Sequence, residues 1–230
     1  MAEIDDLVDS IFDGRKNAFS REFDGWVRRS RRFRTFAITY QTKIHAKLKN
    51  ARDEGGLKDV RAELETAVLL LREERFTLEY EKYAAAKQRG PDFTVTFRTH
   101  TPFNVEVRRI RRIELDEGDT DARIGKLMAV LCDKVGQMPP SIVNLLWLTA
   151  NREIMEAELN LAVMLLRQLA ERKVEGFFTQ RGLQSAADFI KQYGRLSGIV
   201  LHQPEGNKLW LNALARHKTP PEIVNAIQRL

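Results

Sequence analysis

The sequence predicts an α/β protein with one mixed sheet covered by helices on both faces. Three observations predict it. Apolar residues recur at three and four through residues 33–48 and again through 57–71, the helical period. They alternate at period two through 76–83, 92–99 and 103–111, as half-buried strands do. The run SIVNLLWLTA (141–150) has too little polarity for a surface strand and reads as a buried central one.

Taken in order, residues 1–56 read as a helical arm whose stripe is Phe33, Phe36, Ala37, Tyr40, Ile44 and Leu48. DEGG (53–56) punctuates, and LKDVRAELETAVLLLREER (57–75) is an amphipathic helix through Leu57, Val60, Leu64, Val68 and Leu71. FTLEYEKY (76–83) alternates as a strand and KQRGP breaks it. DFTVTFRT (92–99), the turn THTP (99–102) and FNVEVRRIR (103–111) form a hairpin, with positions 94 and 107 roughly opposite. A helix follows over 119–138, capped by Asp119, Thr120 or Asp121 and stopped by Pro139-Pro140. After the central strand come helices at 153–173 and 183–193. Strands at 197–203 and 208–214 flank the turn PEGN, and TPPEIVNAIQRL ends the chain as a short helix with prolines in its first turn.

Composition narrows the classes. The 43% hydrophobic and 30% charged balance is that of a soluble globular chain, and runs such as IVNLLWL (142–148) are too short to span a bilayer, so no membrane partner is expected. The acidic start MAEIDDLVDSIF is unlike a secretory signal, and a single cysteine, Cys132, fits a reducing compartment; a cytoplasmic location is the expectation. Cys132 lies in the helical run KLMAVLCDKV, where a small buried apolar role is expected. The net charge of +6 favours polyanionic partners. It is also segregated: residues 26–50 hold eight Lys or Arg residues and no acid, among them Arg28, Arg31, Arg32 and Arg34. Arg108, Arg109, Arg111 and Arg112 form a second cluster. Trp26, Phe33, Phe36 and Tyr40 interleave with the first, a pattern suited to phosphate contact, although a solvated basic face needs no ligand.

Several catalytic signatures are absent from the sequence: GxxxxGK[ST], GxGxxG and GxSxG. The four histidines are scattered, and with one cysteine they offer no zinc spacing. Any chemistry must therefore rest on carboxylates. Residues two apart on a strand share a face, so Asn104, Glu106 and Arg108 point one way and Phe103, Val105 and Val107 the other. The hairpin brings Asp92 towards Glu106 and Arg108. Two neighbouring carboxylates repel unless a cation lies between them, and hard oxygens suit Mg²⁺ or Mn²⁺. The blander account makes Asp92 a turn residue and 106–112 a solvated edge, with Arg108 as the carboxylates' partner.

Pro91-Asp92 at the start of one hairpin strand and Glu106-Val107-Arg108 in the next resemble the signature of the PD-(D/E)XK, or restriction-endonuclease-like, nuclease superfamily. An upstream helix bearing Glu63 and Glu65, the hairpin, a helix and a buried strand follow in the matching order. The resemblance covers residues 57–150. It implies a three-layer α/β/α domain over 57–230, with an α/β extension from 151 and the basic helical arm of 1–56 outside it. It implies Mg²⁺ or Mn²⁺ held by Asp92, Glu106 and the Val107 carbonyl, with Glu63 completing the site and Glu65 in reserve. The function implied is phosphodiester hydrolysis on DNA or RNA, with Arg28, Arg31, Arg32, Arg34, Arg109, Arg111, Arg112 and Lys126 gripping phosphates. A homodimer is common among cutting enzymes of this fold. Arg108 departs from the family's lysine; a guanidinium cannot act as a neutral amine, so its role would be electrostatic, and Lys126 on the following helix is a candidate substitute. The rival readings are a nucleic-acid-binding module of the same fold without turnover, and an interaction subunit whose 33–48 stripe docks a protein.

Overall fold

Apolar alternation and helix caps place the elements. A computed structural model of the chain describes residues 2–83, 90–110, 119–150 and 154–230. Four helices come first: α1 (Ala2–Phe12), α2 (Ala18–Arg29), α3 (Arg31–Thr39) and α4 (Gln41–Asn50). Ser30 ends α2 and caps α3, its side chain accepting the Phe33 N–H. Helix α5 (Glu54–Leu70) starts at Asp53, whose carboxylate accepts the Gly56 N–H. Then follow β1 (Phe76–Tyr80), β2 (Phe93–Phe97), β3 (Thr101–Ile110), α6 (Thr120–Val135) and β4 (Val143–Ala150). The remainder is α7 (Glu156–Glu171), α8 (Glu175–Thr179), α9 (Ala186–Tyr193), β5 (Gly198–Gln203), β6 (Gly206–Leu211) and α10 (Pro221–Gln228).

The six strands form one sheet in the order β1-β2-β3-β4-β5-β6. β3, β4 and β5 run parallel to one another, while β1, β2 and β6 pair antiparallel with their neighbours. The expected mixed sheet with a buried central strand is present: Leu145, Leu146, Trp147 and Leu148 of β4 are all fully buried. Both faces are covered. Phe103, Val105, Val107, Leu145 and Trp147 face one core with α1–α5 and α10, and Leu146 and Leu148 face another with α6, α7 and α9. Among the described residues no helix is long and apolar enough to cross a membrane.

Three details differ from the sequence reading. The hairpin turn is Arg98-Thr99-His100, with Arg98 at φ 56°, so Thr94 faces Asn104 and not residue 107. Pro102, assigned to the turn, is paired within β3. β1 ends at Tyr80 because Glu81 adopts φ 48°, outside the strand region.

The largest difference concerns residues 1–56. Their aromatic side chains do not interleave with arginines on a surface. Phe23, Phe33 and Phe36 are buried, and ring contacts run Phe12–Phe23 (5.4 Å), Phe23–Phe33 (5.5 Å), Phe33–Phe36 (5.8 Å) and Phe36–Tyr80 (5.7 Å) into the sheet. The 33–48 stripe, which one rival reading gave to a docked protein, is spent within the chain: Phe33, Phe36, Ala37, Ile44 and Leu48 are buried in the core shared with β1–β3. Cys132 is buried as expected, and burial pushes its thiol up to about 11. Since the first four helices and the sheet share a core, Phe33→Ala should cost about 3–5 kcal/mol. Chemical denaturation should still show one transition, at lower denaturant. An unchanged main transition with an early, separate loss of helix would mean that residues 1–56 fold apart from the sheet.

Candidate functional site

The site grows from an unequal pair of strands. Pairing of β2 with β3 ends at Phe93 opposite Val105, yet β3 continues to Ile110. Val107 therefore presents a backbone N–H beyond the end of β2. Asp92 receives it: Oδ2 accepts the Val107 N–H at 2.8 Å, and the Asp92 carbonyl accepts the Glu81 N–H at 2.7 Å. Asp92 thus ties the β1–β2 end to β3, with its Oδ1 turned elsewhere.

Glu106 lies next along β3, is 4% exposed, and pairs through Oε1 with Lys134 Nζ of α6 at 2.6 Å. On the other side of Asp92, Glu63 of α5 accepts the Tyr80 hydroxyl at 2.9 Å and an ammonium hydrogen bond from Lys47 of α4. The same Lys47 Nζ lies 3.0 Å from Glu81 Oε1 and 3.5 Å from Asp92 Oδ1. Four carboxylates (Glu63, Glu81, Asp92, Glu106) thus face two ammonium groups (Lys47, Lys134), a balance of −2 when all are ionised.

The proton affinities report that imbalance. Burial, and then the Asp92 charge, push Glu63 and Glu106 each up to about 7. Burial works against the Lys47 charge, but Glu63, Tyr80 and Asp92 outweigh it and hold the ammonium protonated well above the usual lysine range.

Of the sequence-predicted residues, Asp92, Glu106 and Glu63 meet in this cluster, and the Val107 backbone lies against Asp92. Glu65 points away and pairs with Arg61 at 3.3 Å. Arg108 is not the carboxylates' partner: its Nε is buried without a hydrogen-bond partner, and it makes no ion pair among the described residues. Lys126 is not the lysine that meets Glu106. Lys134, eight residues on and about 12 Å further along the axis of α6, holds Glu106 instead.

The expected phosphate grip is largely committed inside the chain. Arg28 pairs with Asp24 and Asp5, and Arg34 donates to the Val27 and Arg28 carbonyls. Arg32 donates to the carbonyls of Leu71 and Glu73 at 2.7 Å and to that of Phe76. Arg34 thus takes carbonyls at the end of α2, and Arg32 takes carbonyls of the turn that joins α5 to β1. Arg109 binds Asp59 (2.9 Å) and the Gly55 carbonyl (3.0 Å). Arg31 is exposed, and Arg111 and Arg112 lie outside the described residues.

Lys47, Tyr80, Glu81 and Lys134 were not foreseen. Both lysines left a trace: Lys134 continues the buried positions Leu127 and Leu131 of α6, and Lys47 sits beside the buried Ile44 and Leu48 of α4. A lysine on an apolar stripe needs a buried anion.

No family model matches the chain, and neither a curated protein nor a solved structure is significantly similar to it. Among the described residues no three His, Cys, Asp or Glu side chains form a group that could hold a metal ion as they stand. The donor chemistry nonetheless fits Mg²⁺, which keeps several waters and binds through one or two carboxylates plus substrate phosphate. Asp92 and Glu106 supply hard oxygens in a cluster where carboxylates outnumber ammonium groups.

The raised carboxyls set a pH dependence. Between about 4.5 and 7 the folded chain keeps protons on Glu63 and Glu106 that the unfolded chain has lost, so their contribution to stability falls as pH rises. Thermal denaturation at pH 5 and pH 7.5 should show a smaller difference in the Glu63→Gln/Glu106→Gln variant than in the parent. An equal difference would mean that these carboxyls titrate at ordinary values.

Proposed function

We propose that the chain is a metal-dependent phosphodiesterase acting on nucleic acid, built on a restriction-endonuclease-like fold. The observation that carries the reading is the carboxylate pair Asp92 and Glu106 where β2 leaves β3, with Glu63 alongside and a lysine on Glu106. The strand order, with an antiparallel hairpin leading through a helix into parallel β4, supports it.

In this reading Asp92 and Glu106 hold Mg²⁺ or Mn²⁺. When bound, the metal activates water and neutralises charge growing on the phosphate. Lys134, paired with Glu106, orients water and stabilises the developing oxyanion. Arg108 keeps an uncommitted Nε two residues along the same strand face, where it serves phosphate binding. Glu63, hydrogen-bonded by Tyr80, completes the negative field around Asp92.

A second reading, a nucleic-acid-binding module without turnover, is favoured by one observation. Lys47 already bridges Glu63, Glu81 and Asp92 as a metal would. The two differ in what Mg²⁺ or Mn²⁺ does to a mixture of DNA and RNA substrates. The enzyme cleaves in a metal-dependent way, and Asp92→Ala or Lys134→Ala lowers the rate by about 10²–10³-fold. Arg108→Lys leaves it within about tenfold, because the site's lysine comes from α6. Salt-sensitive binding without cleavage under either metal would replace the enzyme by the module. Cleavage that survives Asp92→Ala would be contamination and would remove the proposal's support.

A further inference from the structure

Lys47 comes from α4, outside the 57–150 segment that carries the signature residues. Its ammonium has three hydrogens and three carboxylate neighbours, each from a different part of the chain. Glu63 Oε2 comes from α5, Glu81 Oε1 from the residue after β1, and Asp92 Oδ1 from the residue before β2. Asp92 Oδ2 is already taken by the Val107 N–H, so Oδ1 is the oxygen left for a cation. The Tyr80 ring lies below, its centroid 4.9 Å from Nζ. An all-oxygen cage closed on one positive charge is the surrounding a hard metal cation also seeks.

We infer that the Lys47 ammonium occupies the cation position of this cluster, so that Lys47 docking and divalent-cation binding compete for the same carboxylates. This rests on the reading of the cluster as a cation site. Lys47 would act as a built-in counter-ion that keeps the cluster closed until metal, or metal with substrate phosphate, displaces it. The rest of α4 need not leave. Ile44 and Leu48 are buried, and Lys43, one turn earlier, binds backbone carbonyls of Tyr80 (2.8 Å) and Glu81 (3.3 Å), not carboxylates. Lys47 itself keeps 22% of its side chain exposed, which gives the flexible stem a short path to water.

The test uses the full chain and Mn²⁺ alone, followed by calorimetry, with Lys47→Met and Lys47→Arg compared with the parent. Removing a positive charge within a few ångströms of the carboxylates should tighten Mn²⁺ binding by about tenfold or more, and Lys47→Arg should stay near the parent value. A measurement on the parent alone needs no variant to fold. Amine labelling of Lys47, read by mass spectrometry against Lys43, should rise severalfold when Mn²⁺ is added. Binding by Lys47→Met but not by the parent would also support the inference. Weaker binding by a folded Lys47→Met would show that Lys47 organises the carboxylates, and unchanged labelling with metal bound would show that it stays in place; either result overturns the inference and leaves the metal-site reading standing. If neither the parent nor Lys47→Met binds Mn²⁺, both fall.

Discussion

Where β2 ends and β3 continues, Val107 holds out a backbone N–H that no strand receives, and the Asp92 carboxylate fills the place. That one hydrogen bond fixes an anion beside the buried Glu106, and with Glu63 nearby it puts like charges in a largely buried part of the molecule. Buried carboxylates at such spacing must take up protons or recruit cations. Both responses are present. Glu63 and Glu106 are pushed up to about 7, and two lysines reach in from opposite faces of the sheet. Lys134 comes from α6 and Lys47 from α4, so helices on both sides are tied to the end of one short strand.

This explains why the first four helices belong to the body of the protein. The aromatic chain from Phe12 to Tyr80 brings α3 against β1, and Tyr40, just before α4, joins it through Phe36 and Tyr80. Lys43 then binds the carbonyls where β1 ends, and Lys47 reaches the carboxylates one turn later. Packing positions α4, and electrostatics then uses the position. The basic excess of this region is answered in the same way, with Arg32 held by carbonyls between α5 and β1 and Arg34 by carbonyls at the end of α2.

Much of the fold was legible because its signals are local. The alternation in FTVTF and FNVEV and the unbroken run in β4 fix strand identity and the buried face whatever the partner. Asp92, Glu106 and Glu63 were legible for the same reason, since strand parity and one helix face bring them together. The failures were matters of register and of long-range pairing. Arg98 at positive φ shifts the hairpin, and periodicity carries no sign of that. Lys126 and Lys134 lie on one helix, and only the packing of α6 decides which meets Glu106. Lys47 joins residues 16, 34 and 45 positions away in sequence (Glu63, Glu81 and Asp92), a meeting that no local pattern encodes. The intramolecular bonds of Arg28, Arg32 and Arg34 were not legible, because charge density marks a partner's sign but not whether that partner lies within the chain.

The central claim is that the carboxylate cluster of Glu63, Glu81, Asp92 and Glu106 is a cation site in which Lys47 now holds the free oxygen of Asp92. Anomalous diffraction from crystals grown with Mn²⁺ tests it most directly. The account predicts an anomalous peak within coordination distance of Asp92 and Glu106, with the Lys47 ammonium moved off Asp92 Oδ1. No peak at a saturating Mn²⁺ concentration, with Lys47 still bridging Glu63, Glu81 and Asp92, would contradict it.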